Sequence, residues 1–166
     1  MTSDSSGPSG QEYGANTLRL AAGEGCTVLK RKAIRLQQSS DNELVIYHMR
    51  SLLNEAGFHT TDEFILAAAA SELATNIVRY TPGGMMEICL IRDAGGRTGV
   101  EVFASDKGPG IPDLEAAMRE HYSSEPGSLG MGLPSVKRIM DEFAIESVVG
   151  AGTRVRARKW RNYGQD

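Results

Sequence analysis

Histidine and cysteine are scarce in this 166-residue chain, and neither type is clustered. His48, His59 and His121 stand far apart, as do Cys26 and Cys89. That spacing excludes the short-range ligand sets of zinc sites and argues against a disulfide framework. Free thiols fit a reducing compartment, so a cytoplasmic location is expected. No apolar run is long enough to cross a bilayer, and no membrane partner is expected. Excess charge of one sign is missing too. The 21 acidic and 18 basic residues leave a net charge of -3, without the broad basic field of a nucleic-acid-binding surface.

What is present is an ordinary globular composition, 40% apolar and 23% charged, in a length suited to one core. Residues 1–24, rich in Ser and Gly at their start, read as a flexible tail. Residues 25–161 read as a single domain and residues 162–166 as a short C-terminal tail.

Alternation predicts a strand over Cys26–Leu36 through Val28, Lys30, Lys32, Ile34 and Leu36, although its period is imperfect. Asp41 or Asn42 can cap a helix whose apolar side holds Leu44, Val45, Tyr47, His48, Leu52 and Leu53, with Gly57 as its stop. A second helix runs from Thr61 or Asp62 to Tyr80, with Phe64, Ile65, Ala68, Leu73, Ile77 and Tyr80 as its buried stripe. Pro82-Gly83-Gly84 ends it. Residues 85–91 and 99–105 predict an antiparallel hairpin, residues 114–119 a short helix and residues 133–142 a longer one. Residues 143–149 and 153–160 complete the strands around Gly150-Ala151-Gly152, while residues 120–129 read as a loop or flexible cover. The fold expected is α+β, a two-layer α/β sandwich in which helices cover one face of a mixed sheet.

Two glycine-rich stretches carry the chemistry. Asp106-Lys107-Gly108-Pro109-Gly110 follows a strand, and Gly127-Ser128-Leu129-Gly130-Met131-Gly132 opens a helix at Leu133. Glycine lets backbone donors approach a ligand closely, and a helix N-terminus attracts phosphate, so a nucleotide can sit between the loops. Glu72 and Asn76, at i and i+4 on the second helix, share a face. A carboxylate there can orient or deprotonate a hydroxyl, and an amide oxygen can complete the sphere of Mg2+. A solvated helical face is the plain alternative for this pair.

Taken in order, Ser71-Glu72-Leu73-Ala74-Thr75-Asn76, Asp106 to Pro112, Gly130 to Phe143 and Gly150-Ala151-Gly152-Thr153 resemble the GHKL ATPase superfamily, with its Bergerat ATP-binding fold. The resemblance is closest to the small switch-protein and anti-sigma-factor serine kinases of the RsbT type. It implies ATP and Mg2+ as cofactors, with Glu72 as catalytic base and Asn76 as the metal ligand. It implies that Asp106 reads the adenine amino group with help from Thr153, and that Gly108 and Gly110 leave room for the purine. Gly130, Met131, Gly132 and Leu133 would lie against the phosphates.

By the same resemblance the chain is an ATP-dependent protein-serine kinase acting on a STAS-domain antagonist in partner-switching stress signalling. A stressosome scaffold and an activated PP2C-type phosphatase are further implied partners. Anti-sigma-factor kinase, with a sigma factor as partner, and noncatalytic ATP-sensing adaptor stay open as alternatives.

Several charged residues carry two readings. Arg79 and Lys107 can contact the nucleotide, or serve as a solvent-facing ion pair and a simple cover. Lys137 and Arg138 can pair locally with Asp141 and Glu142. Arg154, Arg156, Arg158, Lys159 and Arg161 read as a solvated strand face opposite Val155 and Ala157, with partner docking as the lesser reading. Trp160 reads as an anchor on the last strand.

Overall fold

The computed structural model describes residues 25–119 and 132–164. Its elements follow in the order β1 (Cys26–Leu36), α1 (Asp41–Glu55), α2 (Thr60–Tyr80), β2 (Gly84–Asp93), β3 (Thr98–Asp106), α3 (Leu114–Ala117), α4 (Gly132–Ile139), β4 (Glu142–Val148) and β5 (Gly152–Trp160). The tail at residues 1–24 and the cover at residues 120–129 lie outside the described residues. No helix among the described residues is long and apolar enough to cross a membrane.

The strands form one sheet in the order β1-β2-β3-β5-β4, and every neighbouring pair is antiparallel. This corrects the expected mixed sheet. β3 leads through α3 and α4 to β4, which runs in the same direction as β3, as a helical crossover demands. The β4–β5 hairpin then folds β5 back between them, so the two parallel strands never meet.

Alternation sends Ile34, Leu36, Met86, Ile88, Val102 and Val155 toward the helices, where they pack with Val45, Met49, Leu53, Leu66, Leu73 and Ile77. The imperfect period of β1 has a physical cause. Its register shifts between Val28 and Lys30, so Val28 packs on the far face while Ile34 and Leu36 pack on the helix face.

The helices bury stripes rotated from those expected. Phe64 and Ile65 are 57% and 44% exposed, and Ala68 and Tyr80 are exposed as well. Leu73 and Ile77 are buried as expected, but beside them α2 buries Leu66, Ala69, Ala70 and Ala74, because it packs against α1, α4 and the sheet together. Small alanines suit those close approaches better than Phe64 would. In α1, Leu44 and Tyr47 face solvent while Met49 joins Val45, Leu52 and Leu53 in the core.

The far face of the sheet holds a smaller cluster of Cys89, Ile91, Phe103 and Trp160. Burial pushes the Cys89 thiol up to about 11, so it stays protonated at neutral pH. Glu101 and Arg158 lie directly opposite each other on β3 and β5, both buried. The Arg158 guanidinium donates to Glu101 and also reaches Glu142 at 3.3 Å. Arg158 is therefore not part of a solvated face.

Asp141 and Glu142 likewise turn to β5 rather than back to α4. Asp141 accepts from Lys159 Nζ at 3.0 Å and from the Trp160 amide at 2.8 Å, and Glu142 accepts from Trp160 Nε1 at 2.9 Å. These bonds anchor Trp160 at the strand end, as its sequence position suggested.

Glu101→Gln leaves the buried Arg158 guanidinium without its main counter-charge and should cost about 3 kcal/mol. Lys30→Ala removes the exposed Lys30–Glu55 pair and should cost less than about 1 kcal/mol. Urea denaturation midpoints of both variants check the difference.

Candidate functional site

α2 presents Ser71, Glu72, Thr75 and Asn76 within one turn and a half of helix surface. Asn42, at the start of α1, donates its amide to Ser71 Oγ at 2.8 Å and lies 3.4 Å from Thr75 Oγ1. That bond ties the two helices together and fixes the roll of α2. Glu72 is consequently held at an exposed position and Asn76 at a half-buried one.

The first residue of α4 meets this pair. A Cβ placed on Gly132 would lie 3.2 Å from Glu72 Oε2 and 3.7 Å from Asn76 Nδ2. Glycine keeps the helix start close to both groups without filling the space between them. The α4 N-terminus therefore abuts a carboxylate and an amide, one suited to accept a proton and the other to offer an oxygen to a hard cation.

Beside them opens a cavity of about 500 Å³. Leu73, Ile77, Ala104, Ile111, Leu133 and Val155 supply apolar walls, while Asn76, Asp106 and Thr153 add polar atoms. An apolar slot with a few placed polar groups suits a flat heterocycle.

Asp106 organises the deep end. Its Oδ1 accepts from the Gly108 amide at 2.8 Å and the Thr153 amide at 3.3 Å. Its Oδ2 has no partner among the described residues, and the side chain lines the cavity. Ser147 extends the network. Its hydroxyl accepts from the Ile111 amide at 2.8 Å and lies 2.8 Å from Thr153 Oγ1.

Backbone contact is so close here that side chains are excluded. Gly152, at φ +116°, would place a Cβ 2.1 Å from the Asp106 carbonyl oxygen, and Gly110, at φ +75°, would place one 2.4 Å from the Val148 carbonyl oxygen. A Cβ on Gly108 would meet Thr81 at 2.6 Å. The space freed by these glycines is occupied by neighbouring protein, so they shape the cavity by letting the loop pack against β5 and the end of α2.

The structure thus brings Asn76, Asp106, Gly110, Gly132, Leu133 and Thr153 to one cavity, with Glu72 at its edge beside Gly132. Arg79 is exposed one turn beyond Asn76, its guanidinium 5.8 Å from the Tyr80 ring, and it does not line the cavity. Lys107 lines a different cleft, behind Asp106. Gly130 and Met131 lie outside the described residues. Sequence reading missed Ser147 and Thr81; a lone serine in a strand gives no signal until its partners at residues 111 and 153 are known.

Ser147→Ala leaves the Ile111 amide without its acceptor and frees the Thr153 hydroxyl. Adenine-nucleotide binding, read by calorimetric titration, should weaken about tenfold while circular dichroism stays native.

Comparison with known proteins agrees with this geometry. The histidine kinase-like ATPase domain family matches residues 41–159. The serine/threonine-protein kinase RsbT of Bacillus subtilis (strain 168) is 45% identical over 111 residues, which cover 67% of this chain and 82% of that one. The anti-sigma F factor of Geobacillus stearothermophilus is 34% identical over 107 residues, covering 60% and 71%. That of Thermoanaerobacter sp. (strain X514) is 33% identical over 99 residues, covering 57% and 68%. The matched family segment spans α1 to β5 and contains both the Glu72–Asn76 pair and the Asp106 network. With its helix-covered antiparallel sheet and this cavity, the chain belongs to the histidine kinase-like ATPase domain family, within the GHKL superfamily.

Proposed function

We propose that this chain is an ATP-dependent protein-serine/threonine kinase of the RsbT type, and that it phosphorylates a STAS-domain antagonist in a partner-switching pathway. The observation that carries the reading is the meeting of Glu72 and Asn76 with the first residue of α4, at the edge of a cavity whose far end holds Asp106. Identity of 45% to a serine/threonine-protein kinase supports the same chemistry.

In this reading the unpartnered Oδ2 of Asp106 accepts from the adenine amino group, and Thr153 assists. The apolar walls hold the purine. Backbone amides at the start of α4 face the phosphates. Asn76 offers its side-chain oxygen to Mg2+, a fit with the oxygen preference of that ion. Bound Mg-ATP supplies the transferable phosphoryl group and the cation that offsets its charge. Glu72, exposed to an incoming protein, accepts the proton of the partner's serine hydroxyl or aligns that hydroxyl for attack.

The exposure of Glu72 favours a macromolecular acceptor, because a base for bulk-water hydrolysis would gain from seclusion. Restraint of a sigma factor is a second reading, favoured by the anti-sigma F factors among the relatives. Activation of a PP2C-type phosphatase, recruitment to a stressosome scaffold and work in the cytoplasm complete the proposal.

Glu72→Ala should lower phosphate incorporation into the antagonist by about a hundredfold or more while ATP affinity changes far less. Asn76→Ala should lower both, with the loss of affinity seen only when Mg2+ is present. Residue-resolved mass spectrometry of the antagonist and nucleotide titrations with and without Mg2+ check both variants. Equal loss of binding and transfer in Glu72→Ala would assign that residue to folding or binding instead.

A further inference from the structure

We propose that a second cleft, on the sheet face turned away from the helices, docks an acidic segment of a partner protein. This cleft has a volume of about 680 Å³ and lies behind Asp106. Its floor is a row of directly opposed residues, Arg35, Met85, Ser105, Arg154 and Glu146, contributed by all five strands. Their alternation matches Cys89 and Ile91 of the far-face cluster, which places them on the uncovered side.

Three cations reach this cleft: Arg35, Arg154 and Lys107, all exposed. None has a side-chain hydrogen bond or ion pair among the described residues. Glu146 stands directly opposite Arg154 in register, yet no ion pair joins them. Asp106, the other acid of the wall, spends Oδ1 on two backbone amides. The nearby open-face arginine Arg158 behaves differently, being buried and paired with Glu101 and Glu142. The cleft therefore gathers positive charge that the fold itself does not use, and a negatively charged occupant complements it.

The apolar residues of the cleft argue for a polypeptide rather than a free anion. Met85 is 39% exposed and Val148 is 53% exposed, both lining the cleft, and the adjoining Val149 is 67% exposed. Arginine and methionine are enriched at protein interfaces, where apolar contact and charge pairing act together. At one end of the cleft Gly150 carries no side chain, and a Cβ there would stand in open space, so the backbone stays low enough for a peptide to pass over it. The phosphoacceptor approaches Glu72 on the helix layer, so this surface is a separate contact.

The test uses the full chain carrying Arg35→Glu and Arg154→Glu together, and a short fluorescein-labelled peptide alternating glutamate and leucine. Fluorescence anisotropy should show binding to the unchanged protein that weakens as salt is raised, and binding about tenfold weaker or worse for the double variant. ATP titration of the double variant should stay near the unchanged protein's value, which keeps loss of folding apart from loss of docking. No phosphate transfer is measured, so the result is independent of the kinase reading. Equal peptide binding by both proteins, or no peptide binding by either, overturns the proposal. Binding of inorganic pyrophosphate that the double variant loses, with no peptide binding, assigns the cleft to small anions and overturns it as well.

Discussion

One carboxylate oxygen holds the nucleotide end of this fold together. Asp106 Oδ1 accepts from the amides of Gly108 and Thr153, and so joins the turn after β3 to the start of β5. Hydrogen bonds to a charged acceptor are each worth about 1.5–3 kcal/mol, more than an exposed ion pair such as Lys30–Glu55. The bond to β5 forms only because Gly152 lets the Asp106 carbonyl pass at a distance no side chain tolerates. With Oδ1 committed in this way, Oδ2 is left without a partner among the described residues, on a side chain that lines a largely apolar cavity. The residue that builds the wall is thus the residue proposed to read the base.

The opposite end is organised by helices instead of loops. Asn42 clamps α1 to α2, α2 presents Glu72 and Asn76, and α4 begins against both. Rigid elements are well suited to this task, because phosphoryl transfer depends on positioning and charge stabilisation more than on covalent chemistry by the protein. Beneath both ends lies the sheet, pinned across β3, β5 and β4 by Glu101, Arg158 and Glu142. That network keeps β5 in register, and β5 carries Thr153 at one end and Trp160 at the other.

Much of this could be read from the chain alone, and the errors have physical causes. β1 was legible to the residue, and the hairpins to within one or two, because turn residues and alternation are local signals. Its broken period was legible too, but a bulge at Leu29 explains it only once pairing with β2 is known. The buried stripe of α2 was placed correctly at Leu73 and Ile77 but misplaced elsewhere, because Phe64 and Ile65 are apolar in sequence yet face solvent, while alanines carry the helix against three neighbours. The absence of parallel pairing was not legible, since inserting β5 between β3 and β4 is a long-range choice. At the site, Glu72, Asn76, Asp106 and Thr153 were named from motifs. Ser147 was not, because its partners lie 36 residues back in the chain and six residues ahead.

The claim on which the account turns is that Asp106 recognises the adenine amino group. Inosine triphosphate carries a ring carbonyl where ATP carries that amino group, and is otherwise closely similar. Calorimetric titration of the protein with each nucleotide, in the presence of Mg2+, should find inosine triphosphate bound at least about tenfold more weakly, because Oδ2 would then face an acceptor in a buried slot. Equal affinity for the two nucleotides would contradict the assignment of Asp106 and the orientation of the nucleotide built on it.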